Sequence, residues 1–377
     1  MASASKEPDS SWSVRALLAG TVGAMLVSAP IVACAADSEL ADAMKAVTGD
    51  TGPQTQWTGP TTGPKAPPGK NIVFVSCGAF NQICVSVGKS VAEASNKIGW
   101  KVTIIDGKGN ASGWLSAWNQ ALALKPDGII SFVSADAVQA PIQEAKTMGI
   151  PVVGVLAAST PGPQPELGLF TNVSQDPASI GTAEAQYAIA KSNGTARAVI
   201  VYDTLYAIAR YKAEAMKKEL EKCSGCKILD YRTTPAAELQ QNSGQLISSW
   251  VEKYGSEPIW ILTVGDVFAD FMAPPLRAGG VKPSEVMIVA ADGFPTAYDR
   301  IRKGDYQVAT VPQPQSELAY QAVNELVRAM AGQPPSGYSP DVYIVDKSDL
   351  DLYGGDKNQF VPANDFAQRY LGIWTGK

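Results

Sequence analysis

Short apolar segments alternate with longer segments of helical periodicity along most of this chain of 377 residues. The first series runs from residue 70 to residue 156 and contains four strand-and-helix repeats. A second series, from residue 197 to residue 311, repeats the alternation. Strands that alternate with helices of this length form parallel sheets covered by helices on both faces. The pattern therefore predicts an α/β protein with two similar lobes, each a three-layer α/β/α sandwich.

Segments rich in proline interrupt this alternation and predict three crossings between the lobes. One leads through a Pro-rich loop to Asn172, one places Gln313 between two prolines, and one covers residues 334–340. Proline stiffens the chain where it changes direction. A ligand is expected where the strand ends of both lobes face each other. The predicted lobes are residues 70–172 with 313–337, and residues 173–312 with 338–377.

Residues 16–36 form an uncharged segment rich in Ala, Leu, Val and Gly. The segment is long enough to span a bilayer, but it contains Pro30 and ends in small residues. These features, with Arg15 ahead of them, are typical of a secretory signal peptide, so residues 1–36 are predicted to direct export and to be removed. The sequence around Cys34 also resembles a lipoprotein cleavage site, and acylation of Cys34 stays an open alternative.

The next segment, residues 37–69, contains several prolines among many glycines in its second half. A segment of this composition does not bury a core of its own, so it is predicted to form an extended tether. Trp57 is its only large aromatic residue, and we expect it to pack on the body of the protein.

The composition excludes several classes of function. The net charge of −5 provides no basic surface for nucleic acid or for an anionic membrane. The chain has no histidine, which excludes every Ser-His-Asp or Cys-His catalytic arrangement and every metal site that needs imidazole. We therefore predict a protein without catalytic activity, metal or cofactor.

Cys223 and Cys226 are separated by two residues in a predicted turn between a helix and a strand. A redox pair would normally begin a helix, and a structural metal would need two further ligands nearby. In an oxidising compartment the pattern favours a local disulfide. Cys77 and Cys84 border the first strand-to-helix loop, and a second disulfide between them stays open.

Residues 286–315 read as a strand, an Asp-Gly pair, a short helix, a strand and a crossing. Their pattern, ADG-P-----I--G-Y-AT--Q, resembles the closing segment of the periplasmic sugar-binding proteins of the ribose-binding type, a type 1 periplasmic binding protein family. The resemblance extends over about residues 70–345. It implies a periplasmic, monomeric solute-binding subunit of an ABC importer. Such a subunit closes two lobes on a small sugar-like ligand and then docks on a membrane permease or, alternatively, on a chemoreceptor.

The same resemblance implies a set of ligand-binding residues. Carboxylates, amides and a guanidinium group satisfy sugar hydroxyls in fixed directions, and a flat aromatic ring covers the C–H face of a sugar. The implied residues are Phe80, Asn81, Ser131, Tyr206, Arg210, Asp266, Asp292 and Gln313.

The sequence leaves three alternatives open, which concern the role of Asp292, the ligand and the class of protein. Asp292 is also placed to cap the helix that begins near Thr296, which would be a purely structural role. Leu156 and Ala157 stand where the pentose and hexose binders of the family carry an Asp-Arg pair, so the ligand is either less hydroxylated or bound by other loops. An exported α/β enzyme that uses Asp266 and Asp292 as paired carboxylates is the alternative from a different class.

Overall fold

The first lobe is built on a six-stranded sheet with the strand order β2-β1-β3-β4-β6-β5. The computed structural model describes residues 31–52, 55–354 and 358–377. Neighbouring strands pair in parallel, except that β5 is antiparallel to β6. The strands are β1 (Asn71–Ser76), β2 (Lys101–Asp106), β3 (Gly128–Ser131), β4 (Val152–Val155), β5 (Gly162–Gln164) and β6 (Leu169–Val173).

Helices cover both faces of the first sheet, which explains why β3 and β4 are buried along their whole length. Two of these helices, α2 and α10, pack side by side, and α3 packs against α4. Short 3₁₀ helices form at Ala135–Val138 and Pro165–Leu167. The helices of this lobe are α2 (Gln82–Asn96), α3 (Ala111–Ala123), α4 (Gln139–Thr147), α10 (Gln315–Met330) and α11 (Phe366–Thr375).

The second lobe repeats this architecture with the strand order β12-β11-β10-β9-β7-β8. Its pairs are parallel, except that β12 is antiparallel to β11. The predicted fold class, two α/β lobes with mostly parallel sheets, is confirmed. The strands are β7 (Arg197–Tyr202), β8 (Lys227–Thr233), β9 (Ile259–Thr263), β10 (Val286–Asp292), β11 (Gln307–Pro312) and β12 (Val345–Asp346).

Helices also cover the second sheet, with α5 and α6 packed together and α8 packed between α7 and α9. A 3₁₀ helix at Ala236–Glu238 precedes α7. In the part of the chain that is described, no helix combines the length and the hydrophobicity that a membrane crossing requires. The helices are α5 (Pro177–Lys191), α6 (Ala207–Lys222), α7 (Leu239–Tyr254), α8 (Asp266–Ala278), α9 (Pro295–Lys303) and α1 (Ile31–Asp50).

Hydrogen bonds join the crossings between the lobes. The Ser339 hydroxyl donates to the Ser174 carbonyl oxygen at 2.9 Å, and the Gln175 side chain donates to the Asp341 carbonyl oxygen. The first and third crossings therefore run together at the hinge. Helix α11 follows the third crossing and packs on α10 of the first lobe, with the Trp374 Nε1 donating to the Asn324 Oδ1 at 3.1 Å. The structure differs here from the predicted domain division, which placed residues 338–377 wholly in the second lobe.

The amino-terminal segment also differs from the extended tether predicted for residues 37–69. Residues 1–30, most of the predicted signal peptide, lie outside the described residues, but α1 extends to Asp50 and packs on α5 of the second lobe. The ring of Trp57 lies 5.5 Å from that of Tyr338 and 5.4 Å from that of Tyr370. We call residues 55–69 the strap, because they lie across the third crossing and the first lobe, where the Ala66 amide donates to the Trp374 carbonyl oxygen at 3.0 Å. Composition alone does not predict this packing, because a single residue, Trp57, is enough to hold an otherwise polar segment against the protein.

Candidate functional site

A cavity of about 60 Å³ lies between the lobes, at the carboxyl ends of the strands of both sheets. This is the position at which open α/β sheets bind ligands. Most of the side chains around the cavity are apolar. They are Cys77, Asn81, Ile83, Phe132, Leu156, Asp203, Tyr206, Ile208, Ala209, Lys212, Ala236, Val264, Gly265, Val267, Phe268, Asp292 and Gln313.

Asp292 and Lys212 form a buried ion pair in the cavity wall. Asp292 is the last residue of β10, Lys212 lies on α6, and both are almost fully buried. The Lys212 Nζ lies 3.5 Å from the Asp292 Oδ1 and donates a hydrogen bond to the Val264 carbonyl oxygen at 3.0 Å. Burial raises the pKa of Asp292, and the nearby ammonium group of Lys212 opposes that rise. A carboxylate and an ammonium group therefore face the cavity as a charge-balanced pair.

The backbone of Asp292 connects this site to the second crossing. Its carbonyl oxygen accepts hydrogen bonds from the Gln313 amide at 3.3 Å and from the Gln315 Nε2 at 2.9 Å. Asp292 does not cap α9, because the N-cap residue is Phe294 and its amide donates to the Asp266 Oδ2 at 2.8 Å. The capping alternative for Asp292 is therefore wrong, and Asp266 satisfies the start of that helix instead.

Gln313 and Tyr206 bring buried polar atoms to the cavity that have no hydrogen-bond partner among the described residues. These atoms are the Gln313 Nε2 and the Tyr206 Oη. The Tyr206 ring, in the second lobe, packs edge-on at 5.3 Å against Trp114 of the first lobe. Burial raises the pKa of Tyr206, so the phenol is neutral and offers both a donor and an acceptor.

Asn81 and Asp203 also line the cavity, but the protein already occupies much of their hydrogen-bonding capacity. The Asn81 Oδ1 accepts from the Ile83 amide at 3.4 Å and caps α2. Each carboxylate oxygen of Asp203 accepts from a backbone amide, that of Leu205 at 2.8 Å and that of Ala236 at 2.9 Å. Asp203 therefore shapes the loops around the cavity, whereas Asn81 keeps a side-chain NH2 group that can donate to a ligand.

The structure places the other four predicted residues outside the cavity lining. Phe80 is 40% exposed, and Ser131 is buried within the first lobe. Arg210 lies on the surface, where its guanidinium group approaches the Asp136 carboxylate of the first lobe at 3.9 Å. Asp266 is fully buried in the second lobe. Four of the eight predicted residues, those described above, thus share one cavity.

Helix geometry explains why Lys212 takes the place in the cavity that the family resemblance implied for Arg210. Two residues along an α-helix correspond to a rotation of about 200°, so Arg210 and Lys212 point in nearly opposite directions. Lys212 follows the buried Ala209 by three positions and precedes the buried Met216 by four. A lysine on the apolar face of a helix is the sequence signal that indicates this residue.

Asp266 lies at the centre of a buried polar network behind the cavity wall. Its Oδ1 accepts hydrogen bonds from the Gln307 Nε2 at 2.6 Å and from the Thr310 hydroxyl at 3.1 Å. Burial raises its pKa to about 7, and the charge of Asp292 adds to the rise. Burial also raises the pKa of Glu184, whose carboxylate oxygens have no hydrogen-bond partner in the described chain. Asp266 does not line the cavity, so Asp266 and Asp292 do not form there the carboxylate pair on which the enzyme alternative was based.

Each lobe contains one disulfide between residues that are close in sequence. Cys77 pairs with Cys84, with their Cα atoms 5.6 Å apart, and Cys223 pairs with Cys226, with Cα atoms 5.3 Å apart. The first pair closes the loop between β1 and α2, and Cys77 itself lines the cavity. No group of three or more side chains suited to hold a metal ion occurs among the described residues.

Two lobes with a cavity at their facing strand ends define a solute-binding architecture. The family model for the periplasmic binding protein domain matches residues 72–334, so the chain belongs to this family of binding proteins. No curated protein matches the sequence in a search of such proteins.

Solved structures with the same fold share little sequence with this chain. An ABC transporter solute-binding protein from Mycobacterium smegmatis, with bound glycerol, is 14% identical with a TM-score of 0.68 over 78% of this chain and 99% of its own. One from Agrobacterium vitis, with bound allitol, is 18% identical with a TM-score of 0.66 over 75% and 97%. The binding protein of the arabinose ABC transporter from Shewanella sp. ANA-3 is 18% identical with a TM-score of 0.65 over 79% and 95%. At sequence identities this low, the similarity to these structures shows that the fold is shared, and nothing more.

Proposed function

We propose that this protein is an exported solute receptor that binds a small polar molecule between its lobes and delivers it to the permease of an ABC importer. The observation that carries the proposal is the cavity itself. Both lobes contribute to it, and buried polar atoms of Gln313 and Tyr206 face it without a partner. Unpaired buried polar groups are costly, so a ligand that pairs with them would stabilise the arrangement of lobes that encloses it.

The proposed binding residues are Asn81, Tyr206, Asp292 and Gln313, with Lys212 as an addition to the set predicted from sequence. Asp292 offers an acceptor, and Lys212 and Gln313 offer donors. Because the Asp292 carbonyl oxygen also holds the second crossing, a ligand bound to the Asp292 carboxylate contacts the second lobe and its hinge together. Binding would then shift the equilibrium between open and closed lobes towards the closed form.

The remaining parts of the proposal concern location and partners. Residues 1–36 would direct export to the periplasm, where the family operates, and would be removed. The receptor would act as a monomer, and its closed form would dock on the permease or, as the second partner, on a chemoreceptor. The ligands named for the related structures, arabinofuranose, allitol and glycerol, support a sugar or polyol as the ligand class.

A thermal-shift screen of the exported protein against pentoses, hexoses and polyols tests this function. A ligand present at a hundredfold excess over its dissociation constant adds about 2.7 kcal/mol to the free energy of unfolding. Small-angle X-ray scattering should show a smaller radius of gyration with the ligand that raises the melting temperature. Conversion of the ligand into a product in the same samples would instead favour an enzyme.

A further inference from the structure

The polar groups of the cavity form one small group in an apolar wall. Lys212 contacts Asp292, and the Gln313 backbone is hydrogen-bonded to Asp292, so these three side chains are neighbours. Tyr206 adds one hydroxyl from the start of α6. The carboxylate of Asp203 is already occupied by two backbone amides. Few groups therefore remain to pair with a ligand.

Asn81 adds one side-chain amide to these polar groups, and the remaining side chains of the wall offer a ligand no hydrogen bonds. Phe132, Leu156, Val264 and Phe268 are buried apolar residues from both lobes. Leu156 adopts a φ of 54°, a left-handed conformation that is unfavourable for a leucine backbone. A hydroxyl that is buried against such a wall without a partner lowers affinity by about 5- to 140-fold. A fully hydroxylated sugar would carry several such hydroxyls.

The charge and the volume of the cavity limit the class of ligand further. The charges of Lys212 and Asp292 balance each other, so a ligand with a net charge would bring a buried charge that has no compensating partner. The cavity of about 60 Å³ has room for roughly four to six water molecules at 10–15 Å³ each. It therefore suits a compact, uncharged ligand.

We propose that this cavity binds a small neutral alcohol with a hydrocarbon body and one or two adjacent hydroxyls, rather than a fully hydroxylated sugar. This inference rests on the proposed receptor function, and it replaces the sugar or polyol class, which was taken from the related structures, with a ligand class derived from the cavity. The hydroxyls pair with Asp292, Lys212 and Gln313, and the hydrocarbon body packs against the apolar wall.

Isothermal titration calorimetry with three probes on one four-carbon chain tests the proposal directly. The probes are butan-2-ol, butane-2,3-diol and erythritol, which carry one, two and four hydroxyls and match the small cavity. We expect the diol to bind at least about 25-fold more tightly than erythritol, since two added hydroxyls lack partners. Tighter binding of erythritol or of L-arabinose than of the diol would overturn the ligand class and leave the receptor function standing. If neither these probes nor the sugars and polyols of the thermal-shift screen bind, both proposals fail.

A variant of the apolar wall provides a second test. Leu156→Asn places an amide in the wall, and asparagine tolerates the left-handed backbone at this position. We expect the ratio of erythritol to diol affinity to rise at least about tenfold, because the new amide can pair with an added hydroxyl. The matched control is Leu115→Asn, at an exposed leucine on the surface of α3, which should leave the ratio unchanged. An unchanged ratio in Leu156→Asn, with a native circular dichroism spectrum, would contradict the apolar-wall argument.

Discussion

Replacement of Lys212 by methionine tests the ion pair that forms the polar part of the cavity. Methionine is unbranched and flexible, so Lys212→Met retains most of the packing and removes the charge. The substitution leaves the Asp292 carboxylate buried without its counter-charge and leaves the Val264 carbonyl oxygen without the donor at 3.0 Å. Removal of one partner from a buried ion pair costs about 3–5 kcal/mol. Since small domains have free energies of unfolding of about 5–15 kcal/mol, this loss would be large.

Urea unfolding at pH 7.5, followed by circular dichroism, measures this loss. Adding Asp292→Asn to Lys212→Met removes the unpaired charge, so the double variant should regain about 2 kcal/mol or more relative to Lys212→Met alone. Lys218→Met is the matched control, because Lys218 lies exposed on the same helix and its replacement should change the free energy of unfolding by less than about 0.5 kcal/mol. A loss below about 1 kcal/mol for Lys212→Met, or no recovery in the double variant, would refute the ion pair.

The remaining predictions concern the polar network, the backbone and the cysteines. Burial raises the pKa of Asp266 in the folded protein from 3.8 to about 7, so its contribution to the free energy of unfolding is greatest below pH 3.8 and falls as the pH rises towards 7. In urea titrations, Asp266→Asn should reduce the slope of the free energy of unfolding against pH by up to about 1.4 kcal/mol per pH unit. An unaltered slope would contradict this prediction. Asp292 has a φ of 98°, which glycine adopts more easily than alanine, so the free energy of unfolding of Asp292→Gly should exceed that of Asp292→Ala by about 1 kcal/mol. Both variants should lose at least about tenfold in ligand affinity. An alanine variant as stable as the glycine variant would exclude backbone strain at this position. Thiol alkylation without reductant, followed by mass spectrometry, should leave Cys223 and Cys226 unmodified, and alkylation of both would rule out the disulfide.

Local sequence was sufficient to predict most of the regular structure. The bounds of β1, β7 and β9 follow from the sequence, because each is a run of apolar and β-branched residues. The start of α5 (Pro177–Lys191) is marked in the sequence as well. Asp176 caps this helix by accepting from two amides, and Pro177 occupies its first turn, so its start has a local signal.

The candidate site was less predictable, because its residues meet only through the tertiary structure. Asp292 and Gln313, which the family motif implies as ligand-binding residues, both line the cavity, since both stand at fixed distances from strand ends. Asp266 also follows a strand, but it is the first residue of α8, and its side chain turns towards β11 instead of the cavity. The alternating pattern does not predict helices α1 and α11, because both lie outside it. What these helices pack against, α5 and α10, is set by the tertiary structure.

The strap rests on the hinge between the lobes. Its Trp57 ring packs against Tyr338, on the third crossing, and against Tyr370, on α11 of the first lobe. The Asp50 carbonyl oxygen, at the end of α1, accepts a hydrogen bond from the Ile344 amide at 2.9 Å, six residues further along the same crossing. The amino-terminal segment therefore contacts this crossing at two points, and any rotation of the lobes that bends the crossing also strains these contacts. Opening and closing thus carry an energetic cost that lobes without this segment would not have.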